Sequence, residues 1–451
     1  MSPFSKTPRQ STILGAALGV GALILTGCGG GGGGSDSGSN PNGPTPAKQI
    51  QQGQSDINSI VRNSSSSNTQ TVLQDAVTNF NLARKSLPSN NDAQAGFAIS
   101  QAALAAIQFS KTLGVTSFAL KANAAGPQSR LTRMAQASNA LAIWNFPAFL
   151  SGSDKLPLPT ASDLIPHVMV PHDSLTPVQI QASLVSLDTS LAAAESALSG
   201  PLANPSYVYI IADPSHTDSS TATVKVGNAE LRTLAALIAV LRSVTNVTTA
   251  YSADEGTFNF GADVHTLSPF TLNSTVSPTT FLPGGTFAKL NTDGKTRMAT
   301  VKTELQATIT DAVTAVQSIK TRDNTGYLLN PGTLVTTQQL TNFQTQAQSY
   351  QPYLTGVQSV TLNTTNNGVI TLKINLNAWF TNPPADLKAF LPTMKVTQSS
   401  GGNATLVTTP LPDHTFGGLL PAGVPSNTFN GTIFVTPGET ADKLDGDLLS
   451  L

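Results

Sequence analysis

Apolar positions recur at helical spacing along most of the chain. Val72, Ala76, Phe80 and Ala83 follow one another at intervals of four and three residues, and Leu87-Pro88 ends the run. A second run covers residues 93–113, and residues 130–144 predict another helix, closed by Phe146-Pro147. Thr176-Pro177 opens a helix with a hydroxyl cap and a proline at its first position, expected to end at Leu198 before Gly200-Pro201. Asn228 is placed to cap the most regular helix, whose stripe is Leu231, Leu234, Ile238, Leu241 and Val244. An equally periodic stripe runs Met298, Val301, Leu305, Ile309, Val313, Val316 and Ile319, and a last helix is expected over residues 336–350.

Strand signals are short. Residues 207–212 and 221–226 are β-rich and predict a hairpin. Residues 357–362 face Ile370, Leu372, Ile374 and Leu376 across the turn signal Asn366-Asn367-Gly368, a second hairpin. From Pro383 onward the chain is loop-rich. The pattern therefore predicts a mainly α protein of helical hairpins, with small β-hairpin insertions and a loop-rich C-terminal region.

Two stretches break the helical rhythm. Residues 146–176 carry Pro147, Pro157, Pro159, Pro166 and Pro171, which forbids regular helix and marks a connecting segment. Residues 252–296 are rich in Thr, Pro, Gly and Phe and form a long excursion between two core helices, where long ordered loops are more often functional than short ones. The expected organisation is an N-terminal helical region over 48–145, the connector over 146–176, a helical body over 177–350 with the 252–296 excursion, and a C-terminal region over 351–451.

Composition adds exclusions. The 451 residues carry 24 Lys+Arg against 25 Asp+Glu, and 11% charged residues is well below the roughly 25% of an average soluble domain. A hydrophobic content of 39% still suffices for a core, so the low charge does not signal a disordered chain. A net charge of −1 offers no basic footprint for nucleic acid.

The N-terminus carries an address. Lys6 and Arg9 precede an apolar run over residues 13–25, interrupted by Gly15, Gly19 and Gly21 and too short to span a bilayer. Leu25-Thr26-Gly27-Cys28 follows, and this string resembles the lipobox of bacterial lipoproteins. The resemblance implies cleavage after a signal peptide of residues 1–27 and lipidation of Cys28, the only cysteine in the chain. It also implies membrane attachment in the cell envelope. Gly29 replaces the aspartate that in two-membrane bacteria often signals inner-membrane retention, so the outer membrane is expected. Residues 28–47, with six consecutive glycines from Gly29 to Gly34, have nothing to bury and form a tether. Some 20 flexible residues reach about 25 Å.

A second resemblance covers about one repeat. Ala76, Phe80, Ala83 and Pro88 are spaced as in the second helix of a tetratricopeptide repeat with its closing proline, and Gly96-Phe97-Ala98 is similar to the opening of a following repeat. An Ala-rich helical hairpin of no family fits the same residues. Residues 376–394 and 411–421 are similar to stretches of helical-repeat envelope lipoproteins, a likeness that carries no activity with it.

Few residues could carry chemistry. His167, His172 and Asp173 are the closest His/Asp cluster and the weak candidates for a metal, although histidines five apart share no helix face and a loop position without a role fits them as well. Asp263 and His265 form a weaker pair. None of the five histidines is followed by glutamate, and no G-x-S-x-G elbow exists, the nearest string, Gly34 to Gly38, having Asp36 at its centre. Gly294-Lys295-Thr296 resembles the end of a phosphate loop, but Lys289 stands where that loop needs glycine. Asp442, Asp445 and Asp447 have the wrong spacing for a calcium loop. Of the five glutamates, Glu195 and Glu304 fall in helices at positions expected on the surface, and Asp254-Glu255 is the one carboxylate pair retained. No cofactor is expected.

These readings favour a non-enzymatic, lipid-anchored envelope protein whose helical scaffold engages another protein. The alternative is an envelope receptor for a small molecule or glycan, with residues 252–296 and the Pro-rich segment as pocket walls. A hydrolase whose site assembles from distant residues comes third.

Overall fold

The computed structural model describes residues 44–62, 68–112, 176–213, 221–254, 256, 275–276, 285–330, 337–364, 368–391, 393–398, 404–408, 411–423 and 432–435. Cys28, the tether up to residue 43, the helix expected over 130–144 and the connector over 146–175 lie outside these residues. So do His167, His172, Asp173, Glu255, Asp263, His265, Asp442, Asp445 and Asp447. The fold is mainly α. Among the described residues the α-helices are α1 (Pro46–Arg62), α2 (Thr69–Ser86), α3 (Asn91–Thr112), α4 (Pro177–Ala203), α5 (Asn228–Ala250), α6 (Gly294–Thr321), α7 (Thr337–Ser349), α8 (Gln351–Thr355) and α9 (Leu376–Thr381).

The chain divides into two compact units. The first contains residues up to 175 together with 183–245 and 303–351, and the second contains 176–182, 246–302 and 352–451. In the first, one hydrophobic core joins residues of α1 to α3 with Leu191 and Leu198 of α4 and Leu231 and Ile238 of α5. Helices on both sides of the 146–176 connector thus share a single core.

Phe80 of α2 is the hub of the N-terminal helices. Its ring is fully buried and lies against Gly53 of α1 and Gly96 of α3, and a Cβ on Gly53 would come within 2.7 Å of it. Glycine at both places is what admits an aromatic ring between neighbouring helices. Ala76, Ala83 and Ala98 are fully buried as well, in keeping with the close approach expected from their size. Strands β1 (Tyr209–Ala212) and β2 (Thr223–Val226) form the first predicted hairpin, antiparallel with Tyr209 opposite Val226. Helix α1 holds β1 through polar side chains: Gln54 donates to the Ile210 carbonyl at 2.9 Å and Asn58 accepts from the Ala212 N–H at 2.8 Å.

Three helix ends show how local sequence meets tertiary demand. Thr176 accepts from the Gln179 N–H at 3.3 Å while Gln179 accepts from the Thr176 N–H at 2.8 Å, a reciprocal capping box ahead of Pro177. Replacing Thr176 with alanine is expected to lower stability by about 0.5–2 kcal/mol, read from a urea midpoint; a change below about 0.3 kcal/mol would dismiss the cap. The far end of α4 differs from expectation: the helix passes Gly200 and runs to Ala203, with Pro201 inside its last turn. A proline there removes only one terminal hydrogen bond, and its ring is buried.

The cap of α5 is Gly227, whose carbonyl accepts from the Leu231 N–H at 3.0 Å, and not Asn228. A side chain at 227 would meet the Tyr327 ring at 2.7 Å, so the favoured capping residues are excluded and glycine serves. Among the described residues α5 is the helix long and apolar enough to cross a membrane. It is mostly buried and engages charged partners in the first unit, which describes a core helix.

In the second unit the excursion expected over 252–296 ends at residue 293, and α6 begins at Gly294. Gly294 starts that helix against the Ala250 carbonyl, with no room for a side chain, so the Gly294-Lys295-Thr296 string has a packing role. Asp254 is exposed, and its carboxylate accepts from the Gly256 N–H at 2.9 Å and the Thr286 hydroxyl at 3.1 Å, tying the two ends of the excursion together. Strands β4 (Gln358–Thr364) and β5 (Gly368–Ile374) form the second predicted hairpin. Leu376 leaves the strand pattern to begin α9, because the Asn375 side chain accepts from the Ala378 N–H and caps a helix there.

The C-terminal region holds more strand than its sequence suggests. Strand β3 (Thr275–Val276) from the excursion pairs with β6 (Met394–Gln398), followed by β7 (Ala404–Thr408) and β8 (Thr432–Val435), as a four-stranded antiparallel sheet. Trp379 stacks on Phe390 at 6.2 Å, Phe390 packs on Phe416 at 5.7 Å, and the Trp379 indole donates to the Phe416 carbonyl at 2.6 Å. Asp413 closes the loop beneath: hydrogen bonds from the Thr415 hydroxyl and the Gly417 N–H hold its carboxyl below the usual range.

Candidate functional site

The chemically most distinctive place lies in the first unit, where α4, α5 and α6 exchange charges. Asp188 and Glu195 are two turns apart on α4 and so share a face. Arg242 of α5 lies against that face, with its Nε 3.1 Å from Asp188 Oδ1 and its Nη1 against Glu195 Oε2. The same Nη1 is 2.5 Å from Glu304 Oε1 of α6. One guanidinium thus serves three carboxylates. The side chain of Glu304 is 6% exposed, so these charges have left most of their water.

A second ion pair continues the arrangement along α6. Asp311, two turns after Glu304, is 2.6 Å from Arg232 Nη1, and Arg232 Nε donates to Asn228 Oδ1 at 2.9 Å. Asn228 therefore positions an arginine in place of the capping role expected of it.

Burial dominates the electrostatics. It raises the Glu304 carboxyl to about 7, and the Glu195 charge works in the same direction against the attraction of Arg242. The Glu304 carboxyl also has Glu195 as its hydrogen-bond partner, an arrangement that favours its protonated form. Burial acts against the Arg242 cation, but Glu304, Glu195 and Asp188 together outweigh it and raise that group above its ordinary value. Asp311 is raised by burial despite Arg232. The cluster can therefore hold and release a proton near neutral pH.

A third buried pair is complete in itself. Glu230 is fully buried, and its two oxygens accept from Arg322 at 2.6 and 2.8 Å, from the Gly227 N–H at 2.9 Å and from the Leu329 N–H at 3.0 Å. The bond to Gly227 is the return half of a capping box, with glutamate at the third helical position. Arg322 stacks over the Tyr327 ring at 4.0 Å, which packs the same tyrosine against Gly227.

These geometries correct the expectation that Glu195 and Glu304 are surface positions. Glu195 is part-buried and Glu304 is 5% exposed, and both face Arg242. The missed signal was a polar residue inside an apolar stripe: Glu304 follows Val301 by three residues, and the buried face of α6 runs Met298, Val301, Glu304, leaving Leu305 only half-buried. Among the described residues no group of three or more His, Cys, Asp or Glu has metal-binding geometry. No protein family, no characterised protein and no solved structure matches this chain.

Proposed function

We propose that the protein is a lipid-anchored component of a bacterial cell envelope, held by Cys28 and acting through its helical body as a non-enzymatic scaffold for another envelope protein. The observation that carries this reading is the string Leu25-Thr26-Gly27-Cys28 between an apolar run and a tether without apolar content. Among the described residues helical structure begins at Pro46, next to the end of the expected tether. The use of the part-buried Glu195 and the buried Glu230 and Glu304 in joining elements to one another supports a structural role for them. Gly29 after the lipidated cysteine favours the outer membrane, and the tetratricopeptide-like spacing of Ala76, Phe80, Ala83 and Pro88 favours a peptide-binding helical surface.

Attachment is tested by Cys28→Ser. The natural chain is expected to enter the detergent-rich phase on phase separation and to incorporate labelled palmitate, while the variant moves to the aqueous phase unlabelled. Equal partitioning of the two would dispose of the anchor. Crosslinking in intact cells then tests the scaffold: a stoichiometric envelope protein recovered with the natural chain and lost with the variant supports it, and a chain recovered alone removes it.

A further inference from the structure

Three carboxylates converge on one guanidinium. Asp188 and Glu195 approach Arg242 from α4 and Glu304 approaches it from α6, while Arg232, the other arginine nearby, is engaged by Asp311. Glu195 and Glu304 touch the same nitrogen, so their oxygens are near neighbours. Two carboxylates so placed, and largely withdrawn from water, do not both ionise without strong repulsion. We infer that Glu304 and Glu195 form a proton-operated clamp: with one proton the pair draws α6 onto α4 around Arg242, and on losing it the two helices repel across the same guanidinium.

The geometry sets the direction of the response. The Glu304 carboxyl is raised from its ordinary 4.5 to about 7. Between those values the folded chain keeps a proton that the unfolded chain has lost, so stability is fully present below the interval and falls as pH rises through it. Asp311 is raised by burial and Asp56, on α1, likewise, so both contribute in the same direction. Asp413 and Asp323 are lowered and titrate below the interval.

The clamp is tested in the full-length protein in detergent micelles, comparing the natural chain with Glu304→Gln and Glu195→Gln from pH 5 to pH 8. The folded-to-unfolded ratio of the natural chain is expected to fall about tenfold or more, the worth of one pKa unit or above. Hydrogen exchange of residues 303–321, corrected for its intrinsic pH dependence, should accelerate by a similar factor. Glu304→Gln keeps the shape and removes the titration, so its profile is expected to lie flatter than the natural one, with Asp311→Asn as the control for the neighbouring carboxyl. Glu195→Gln removes the repelling charge and is expected to flatten the profile as well, which keeps the test open if the first variant does not fold. A natural chain with no pH dependence over this interval, or variants whose profiles run parallel to it, would overturn the clamp.

Discussion

Exchanging Arg322 for methionine is expected to destabilise the first unit by about 3–5 kcal/mol, because it strands a carboxylate with no solvent contact. Glu230 is fully buried and loses two of its four hydrogen bonds, keeping only the N–H groups of Gly227 and Leu329. Those backbone donors orient the carboxylate but supply no net charge. The substitution also removes the Arg322 bonds to the Leu329 carbonyl and to Asn324, at 3.1 and 2.8 Å, and with them the anchor of the turn that places Tyr327 on Gly227. The start of α5 and the 322–329 turn should loosen together. Urea unfolding followed by circular dichroism gives the magnitude, and the double variant Arg322→Met/Glu230→Gln tells cause from collateral damage. With the charge gone as well, the double variant is expected to recover part of the loss. A single-variant effect below about 1 kcal/mol would mean that water reaches Glu230 and that the pair is dispensable.

The second large effect is expected at Phe80. Phe→Ala in a well-packed core costs about 3–5 kcal/mol, the spread depending on how far the surroundings collapse into the space. Here collapse is hindered by the composition of the walls. The ring lies against Gly53 and Gly96, which have no side chains to reorient into the void, and the neighbouring Ala76 and Ala83 are too short to fill it. Phe80→Ala is therefore expected at the upper end of the range. It should also leave an apolar cavity able to take up benzene or xenon, with a measurable recovery of the melting temperature on saturation. A loss below about 1.5 kcal/mol, without ligand rescue, would show that the three N-terminal helices repack freely.

Much of the architecture was legible along the chain. The end of α2, the extents of α3 and α7 and the two hairpins follow from apolar spacing and turn residues, and Thr176 and Pro177 announce the start of α4. The misplacements have local causes. Pro201 predicted a stop one turn early because a proline near a helix end removes little, and Leu376 continued the strand alternation while Asn375 supplied a cap to a new helix. The four-stranded sheet was missed because one of its strands, β3, is two residues long and is separated from its partner β6 by more than a hundred residues.

The ionic cluster divides the two kinds of information most clearly. Sequence alone determined that α4, α5 and α6 are helices, since each follows from apolar periods and turn residues within one segment. Which face of α6 turns inward was decided by the neighbours. A glutamate is costly to bury alone and acceptable to bury beside a guanidinium, and only the packing of three helices distant in sequence brings Arg242 to Glu304. The glycine at the head of α5 is the same case: its local sequence favours Asn228 as the cap, and a tyrosine a hundred residues away makes it Gly227. Periodicity is a property of a segment, whereas desolvation and steric exclusion belong to pairs, and pairs exist only once the chain has folded.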